Sequence, residues 1–154
     1  MTDMAANEQL ELYKQHHAGE DKYTYFLLAA AAAAIGFAVQ KTEGLRFSWW
    51  LLPVAAATLC WAVSFFFGCK RIIWAQVAIY ANVNLLKLRS GIHPDQPDHP
   101  AHLQAALEGV RSALDTNISR TQFYAKWQFR TLVLGAVLFI LWRILEMYRI
   151  TYAA

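Results

Sequence analysis

Three apolar stretches constrain this chain more than any other feature. They read TYFLLAAAAAAIGFAVQ from Thr24, WWLLPVAAATLCWAVSFFFG from Trp49 and TLVLGAVLFILWRILEMY from Thr131. A helix rises about 1.5 Å per residue, so crossing a hydrocarbon layer about 30 Å thick takes roughly 20 residues. Each stretch is close to that length. Backbone groups in lipid have to be paired within their own segment, which makes a helix the expected conformation of each. The expected fold is an all-α integral membrane protein with transmembrane helices over residues 23–40, 49–68 and 131–149.

Composition sharpens what is left. Of 154 residues, 57% are hydrophobic, and the mean hydropathy is +0.25. With three spans taken out, the remainder is too small for a separate catalytic domain with a core of its own. The net charge is +3 and the pI about 9.0. The positive residues lie beside the spans, which points to orientation in an anionic membrane rather than to nucleic acid. The first apolar run is preceded by a polar segment and reads as a first span, not a cleavable leader. Cys60 and Cys69 fall nine residues apart on one helix, too far for a disulfide within it. They read as packing residues, with lipidation of Cys69 as the alternative.

Charge sets the orientation. Lys70 and Arg71 follow the second span directly, and Lys126 and Arg130 precede the third. Such flanks stay on the cytoplasmic side, while residues 41–48 carry only Lys41, Glu43 and Arg46. The expected location is the inner (plasma) membrane, with the N-terminus cytoplasmic and the C-terminus outside. Trp49, Trp50, Tyr148 and Tyr152 then mark the outer interface. Tyr23, Tyr25 and Trp127 mark the inner one.

Outside the spans, residues 1–22 are expected as a short cytoplasmic helix with a thin apolar face of Leu10 and Tyr13. Residues 69–130 are expected as a cytoplasmic antiparallel helical hairpin. No stop signal follows Lys70, and the helical pattern runs on through Trp74, Ala78, Ala81, Leu85 and Leu88, with Ile73, Val77 and Tyr80 beside that stripe. The breaker comes at residues 90–100, SGIHPDQPDHP, which cannot continue a helix. Asp98 or His99 before Pro100 suits the start of the next helix. From there Leu103, Leu107, Val110, Leu114, Ile118 and Thr121 step by three or four into the third span. The second helix therefore covers about 49–89 and the third about 100–149, with spacing compatible with coiled-coil packing.

Few side chains suggest chemistry. His93, His99 and His102 cluster around the loop, but no cysteine joins them and the spacing fits no closed zinc pattern. They read as solvated, as does His16-His17. No metal or cofactor is expected. Phosphate-binding glycine loops, nucleophile elbows and paired-histidine metal helices are missing, so the chain is not expected to be an enzyme and no catalytic residue is assigned.

The residues of interest are structural or pore-like. Ala29 to Ala34 followed by Gly36 offer little surface to lipid but let backbones approach closely. Ala29, Ala32, Ala33 and Gly36 are therefore expected to pack, either within the molecule or against another subunit. Thr58 and Ser64 are mid-span hydroxyls that either line a water path or bond the preceding turn. Arg143 and Glu146 lie near the outer end of the third span. They form either an interfacial pair that snorkels outward or a polar ring at a pore mouth or interhelical lock. Asn82, Asn84, Asn117 and Gln122 are expected at the solvent, with an inward Asn84 or Asn117 as the alternative. The stripe that includes Trp74, Tyr80 and Leu85 is a docking face for a soluble cytoplasmic protein, unless the hairpin consumes it.

The layout resembles the small multi-span membrane effectors of bacterial antiviral systems, such as the SLATT group. A polar N-terminal helix leads through Asp21-Lys22-Tyr23 into span one, a short outer loop follows, and a helical cytoplasmic part begins after Lys70-Arg71. The resemblance covers most of the chain in layout, and the third span departs from the two-span pattern. It implies an oligomeric, channel-like effector of antiviral defence that disrupts the membrane and is held off until infection. The expected partners are the lipid bilayer, further copies of the chain and a soluble cytoplasmic protein. The alternative is a non-catalytic scaffold that docks such a protein on its hairpin.

Overall fold

A computed structural model describes the backbone of residues 2–46 and 48–152, and the side chains of residues 11, 19–46 and 48–152. The described chain is helical, with no strand among those residues. Helix α1 spans Thr2–Thr42, a 3-10 turn covers Trp49–Leu51, α2 spans Leu52–Ser90 and α3 spans Pro100–Tyr152. All three long helices are apolar enough over enough residues to cross a membrane. The N-terminal helix and the first span are one continuous helix. The face expected of Leu10 and Tyr13, and the pair His16-His17, lie outside the described side chains.

The helix ends follow from local chemistry. Pro53 is the second residue of α2, where a missing N–H costs no helical hydrogen bond. At the far end of α2, Gly91 has φ +74°. This left-handed conformation lets Gly91 N–H donate to Leu88 O and Ile92 N–H to Lys87 O, at 3.4 and 3.1 Å. The two bonds satisfy carbonyls the helix would otherwise leave open. Helix α3 begins with Pro100, whose fixed φ suits a first helical position. His99 caps it: Nδ1 accepts from Ala101 N–H at 3.2 Å, and its carbonyl accepts from His102 and Leu103.

The chain divides into two compact units. One holds the described residues up to Gly68 and from Gln128 onward, and the other is Cys69–Trp127. At 39 and 53 residues, α2 and α3 each contribute residues to both units.

The first unit packs around Ala38, Val54, Ala57, Trp61 and Trp142. Helix α1 turns Thr24, Leu27, Ala31 and Ala38 inward, a spacing of three, four and seven that holds one helical face. Phe139 of α3 joins the helices through rings. Its centroid is 5.8 Å from Phe37 of α1, 5.6 Å from Trp61 of α2 and 5.5 Å from Trp142. Outside this core the unit is apolar on its surface: Phe26, Leu59, Leu134, Val137, Ile140 and Ile144 are all exposed. In the most apolar window of α3 only 11% of residues are buried. A water-soluble bundle keeps such patches small.

In the second unit Leu85 and Leu88 are buried. The inward face of α3 runs through Leu103, Leu107, Val110 and Leu114, which are half-buried, to buried Asn117. Two expectations are corrected here. Ile118, expected in the stripe, is exposed, and Asn117, expected at the solvent, is buried. The reason is phase: from Val110 the face advances by four residues to Leu114 and then by three, so position 117, not 118, follows Leu114 inward.

Candidate functional site

The chemistry of the first unit lies along the contact of α2 and α3. Two glycines make it. A Cβ on Gly135 of α3 would lie 2.5 Å from Nε1 of Trp61 and 3.0 Å from the Ala57 carbonyl oxygen. A Cβ on Gly68 of α2 would lie 2.6 Å from both Gln128 Nε2 and Leu28 Cδ2. Each helix thus leaves a slot for a large side chain of the other, and the Gly68 slot also meets α1. Close backbone approach through small residues is the main packing device where lipid removes the hydrophobic drive between helices.

Hydrogen bonds cross the same contact. Trp61 Nε1 donates to Leu132 O at 3.2 Å. Ser64, fully buried, donates through Oγ to Gln128 O at 2.8 Å. Within α3, Thr131 Oγ1 also donates to that carbonyl, at 3.2 Å. The Gln128 side chain is itself fully buried, and neither of its amide atoms has a hydrogen-bond partner among the described residues. The same holds for Nε1 of Trp142.

Of the two hydroxyls singled out in the sequence, Ser64 bridges helices and Thr58 bonds its own helix, donating to Val54 O at 2.8 Å. Arg143 is exposed, with its guanidinium carbon 5.7 Å from the Trp142 ring. Glu146 pairs with Arg149 at 2.7 Å, one turn further on. These two line a small cleft of about 250 Å³ with Arg46, Ser48 and Trp50.

Ala29, Ala32, Ala33 and Gly36 are exposed. A Cβ on Gly36 would meet nothing within 4 Å. They face away from the packed side of α1, which is carried by Thr24, Leu27, Ala31 and Ala38 instead. Packing within the molecule therefore does not account for them.

The expected docking residues are not brought together. Leu85 is buried, Tyr80 is exposed, and Trp74 is half-buried under the Arg120 guanidinium, 4.4 Å from its ring centroid. Trp74 and Leu85 are eleven residues apart, close to three full turns, so they share the inward face. Tyr80 is rotated well away from both. Along the second unit an open groove of about 890 Å³ is lined by Trp74, Arg111, Asp115, Arg120, Phe123 and Tyr124 among others. Its cations and acids alternate, so it presents no field of one sign.

The loop histidines act as turn and cap residues. His93 Nδ1 accepts from Asp95 N–H at 3.1 Å, and His99 caps α3 as above. Among the described residues no group of three His, Cys, Asp or Glu side chains gathers that could hold a metal ion.

Gln128, Gly68, Gly135, Trp61 and Trp142 are the residues that sequence reading missed. Gln128 sits between Trp127 and Phe129 at the edge of an apolar run, where a polar residue passes for an interfacial flank. Its burial follows only from the partner helix. Compared with family models, curated proteins and solved structures, the chain matches none.

Proposed function

We propose that the chain is an oligomeric membrane effector of channel type. Its three long helices would span the inner membrane with the N-terminus cytoplasmic, and α2 and α3 would continue as a cytoplasmic antiparallel hairpin that receives a signal. The observation that carries this reading is the exposed face of Ala29, Ala32, Ala33 and Gly36 on α1. Small residues four apart suit close helix pairing, and among the described residues this strip is left exposed. A second copy placed there would begin a ring, with a central path lying between subunits. Bacterial antiviral defence is the setting that the layout suggests.

A second reading is favoured by a separate observation. Ile73, Ile79, Tyr80 and Leu86 of the second unit are exposed, which suits a membrane scaffold that docks a soluble protein there. Induced expression in bacteria, followed by a potential-sensitive dye, separates the two. The channel reading expects loss of membrane potential with the native chain and its retention with Ala33→Leu. Full potential despite membrane-inserted native protein would favour the scaffold.

A further inference from the structure

We propose that the Gln128 carboxamide is a binding site for water within the helical core, at the junction of α1, α2 and α3. Gln128 is fully buried, and both Nε2 and Oε1 lack partners among the described residues. A carboxamide brings two donors and an acceptor oxygen with two lone pairs. Native proteins pair the great majority of such buried groups, with protein or with ordered water. Beside the Gly68 slot, where Nε2 lies, the nearest atoms of other residues are those of the Leu28 side chain. Leu28 of α1 is apolar, and Gly68 of α2 has no side chain. The Ser64 hydroxyl proton is already committed to the Gln128 carbonyl.

The identity of the ligand follows from the two atoms together. An anion would satisfy Nε2 and oppose Oε1. A cation would do the reverse. Water donates and accepts, and it is small enough to enter a junction closed by three helices. The groups that would give way to admit it are the ends of two flexible side chains, Gln128 and Leu28, rather than backbone. Removing the Gly68 slot would fill that space with a methyl group.

The test uses the full-length chain in lipid nanodiscs, labelled with nitrogen-15 at glutamine. The Gln128 amide protons are assigned through their contacts to the Gly68 α-protons and the Leu28 methyls, so no variant is needed. The expected result is dipolar magnetisation transfer from water to both amide protons, of the sign given by a water held for longer than nanoseconds. Amide protons that contact Leu28 and Gly68 but receive nothing from water would overturn the proposal. So would transfer by chemical exchange alone, which puts the amide in bulk solvent. A second readout is Gln128→Leu, in which water transfer to the Leu28 methyls should disappear. Its persistence in a folded variant would also overturn the site.

Discussion

At the scale of single residues, two glycines and one glutamine carry more of the account than any charged group. Gly135 and Gly68 both admit a side chain from the facing helix, but what fills the slots differs. Gly135 faces the rigid indole of Trp61 and the Ala57 carbonyl, whereas Gly68 faces the movable ends of Gln128 and Leu28. Inserting a methyl group into a packed core costs about 1–3 kcal/mol. Gly135→Ala is expected near the upper end of that range and Gly68→Ala near the lower, in reversible unfolding of the detergent-solubilised chain. Equal costs would mean that the Trp61 contact is no tighter than the Gln128 contact. The sequence made none of this legible. A glycine in an apolar run shows that a side chain is missing, and not which partner occupies the space.

At the scale of elements, helix ends were legible and helix faces only in part. The Ser90-Gly91 and Pro100 signals are local, and the chain obeys them within a residue or so. Gly91 has to adopt positive φ to close α2. Gly91→Ala is expected to destabilise the chain by about 1 kcal/mol, the usual cost of a Cβ in the left-handed region. An unchanged denaturation midpoint would show that the end of α2 rearranges freely. The face of α1 was not legible for a physical reason. Six successive alanines have no contrast between one side and the other, so periodicity cannot tell which alanines turn inward. Packing decides it: Ala31 and Ala38 are buried, and Ala29, Ala32 and Ala33 are exposed. In the second unit the stepping of apolar residues located the inward stripe but missed that Asn117 continues it.

At the scale of the whole molecule, the feature to explain is apolar surface that the chain does not cover itself. In the proposed membrane setting, lipid would cover the large side chains on that surface, such as Phe26, Leu59 and Ile140. It would account less well for a strip of alanine and glycine, which gives lipid little to contact and a second helix close access. Because these residues are exposed and a Cβ on Gly36 would meet nothing within 4 Å, Ala33→Leu and Gly36→Leu are expected to lower the oligomer size while leaving the thermal unfolding of the subunit nearly unchanged. Loss of folding instead would place them in the core. Arg143 is exposed near the C-terminal end of α3 while Glu146 is engaged by Arg149, and in the proposed channel it is the charge that a pore mouth would use. Arg143→Ala is expected to reduce single-channel conductance in planar bilayers, and normal ion flux in that variant would assign Arg143 to the lipid interface. The most direct measurement of the central claim is the mass of the native chain in nanodiscs, determined by native mass spectrometry. The account predicts one defined oligomer that falls apart in Gly36→Leu. A monomer of 17.5 kDa at every lipid-to-protein ratio would contradict it, since three helices alone enclose no path.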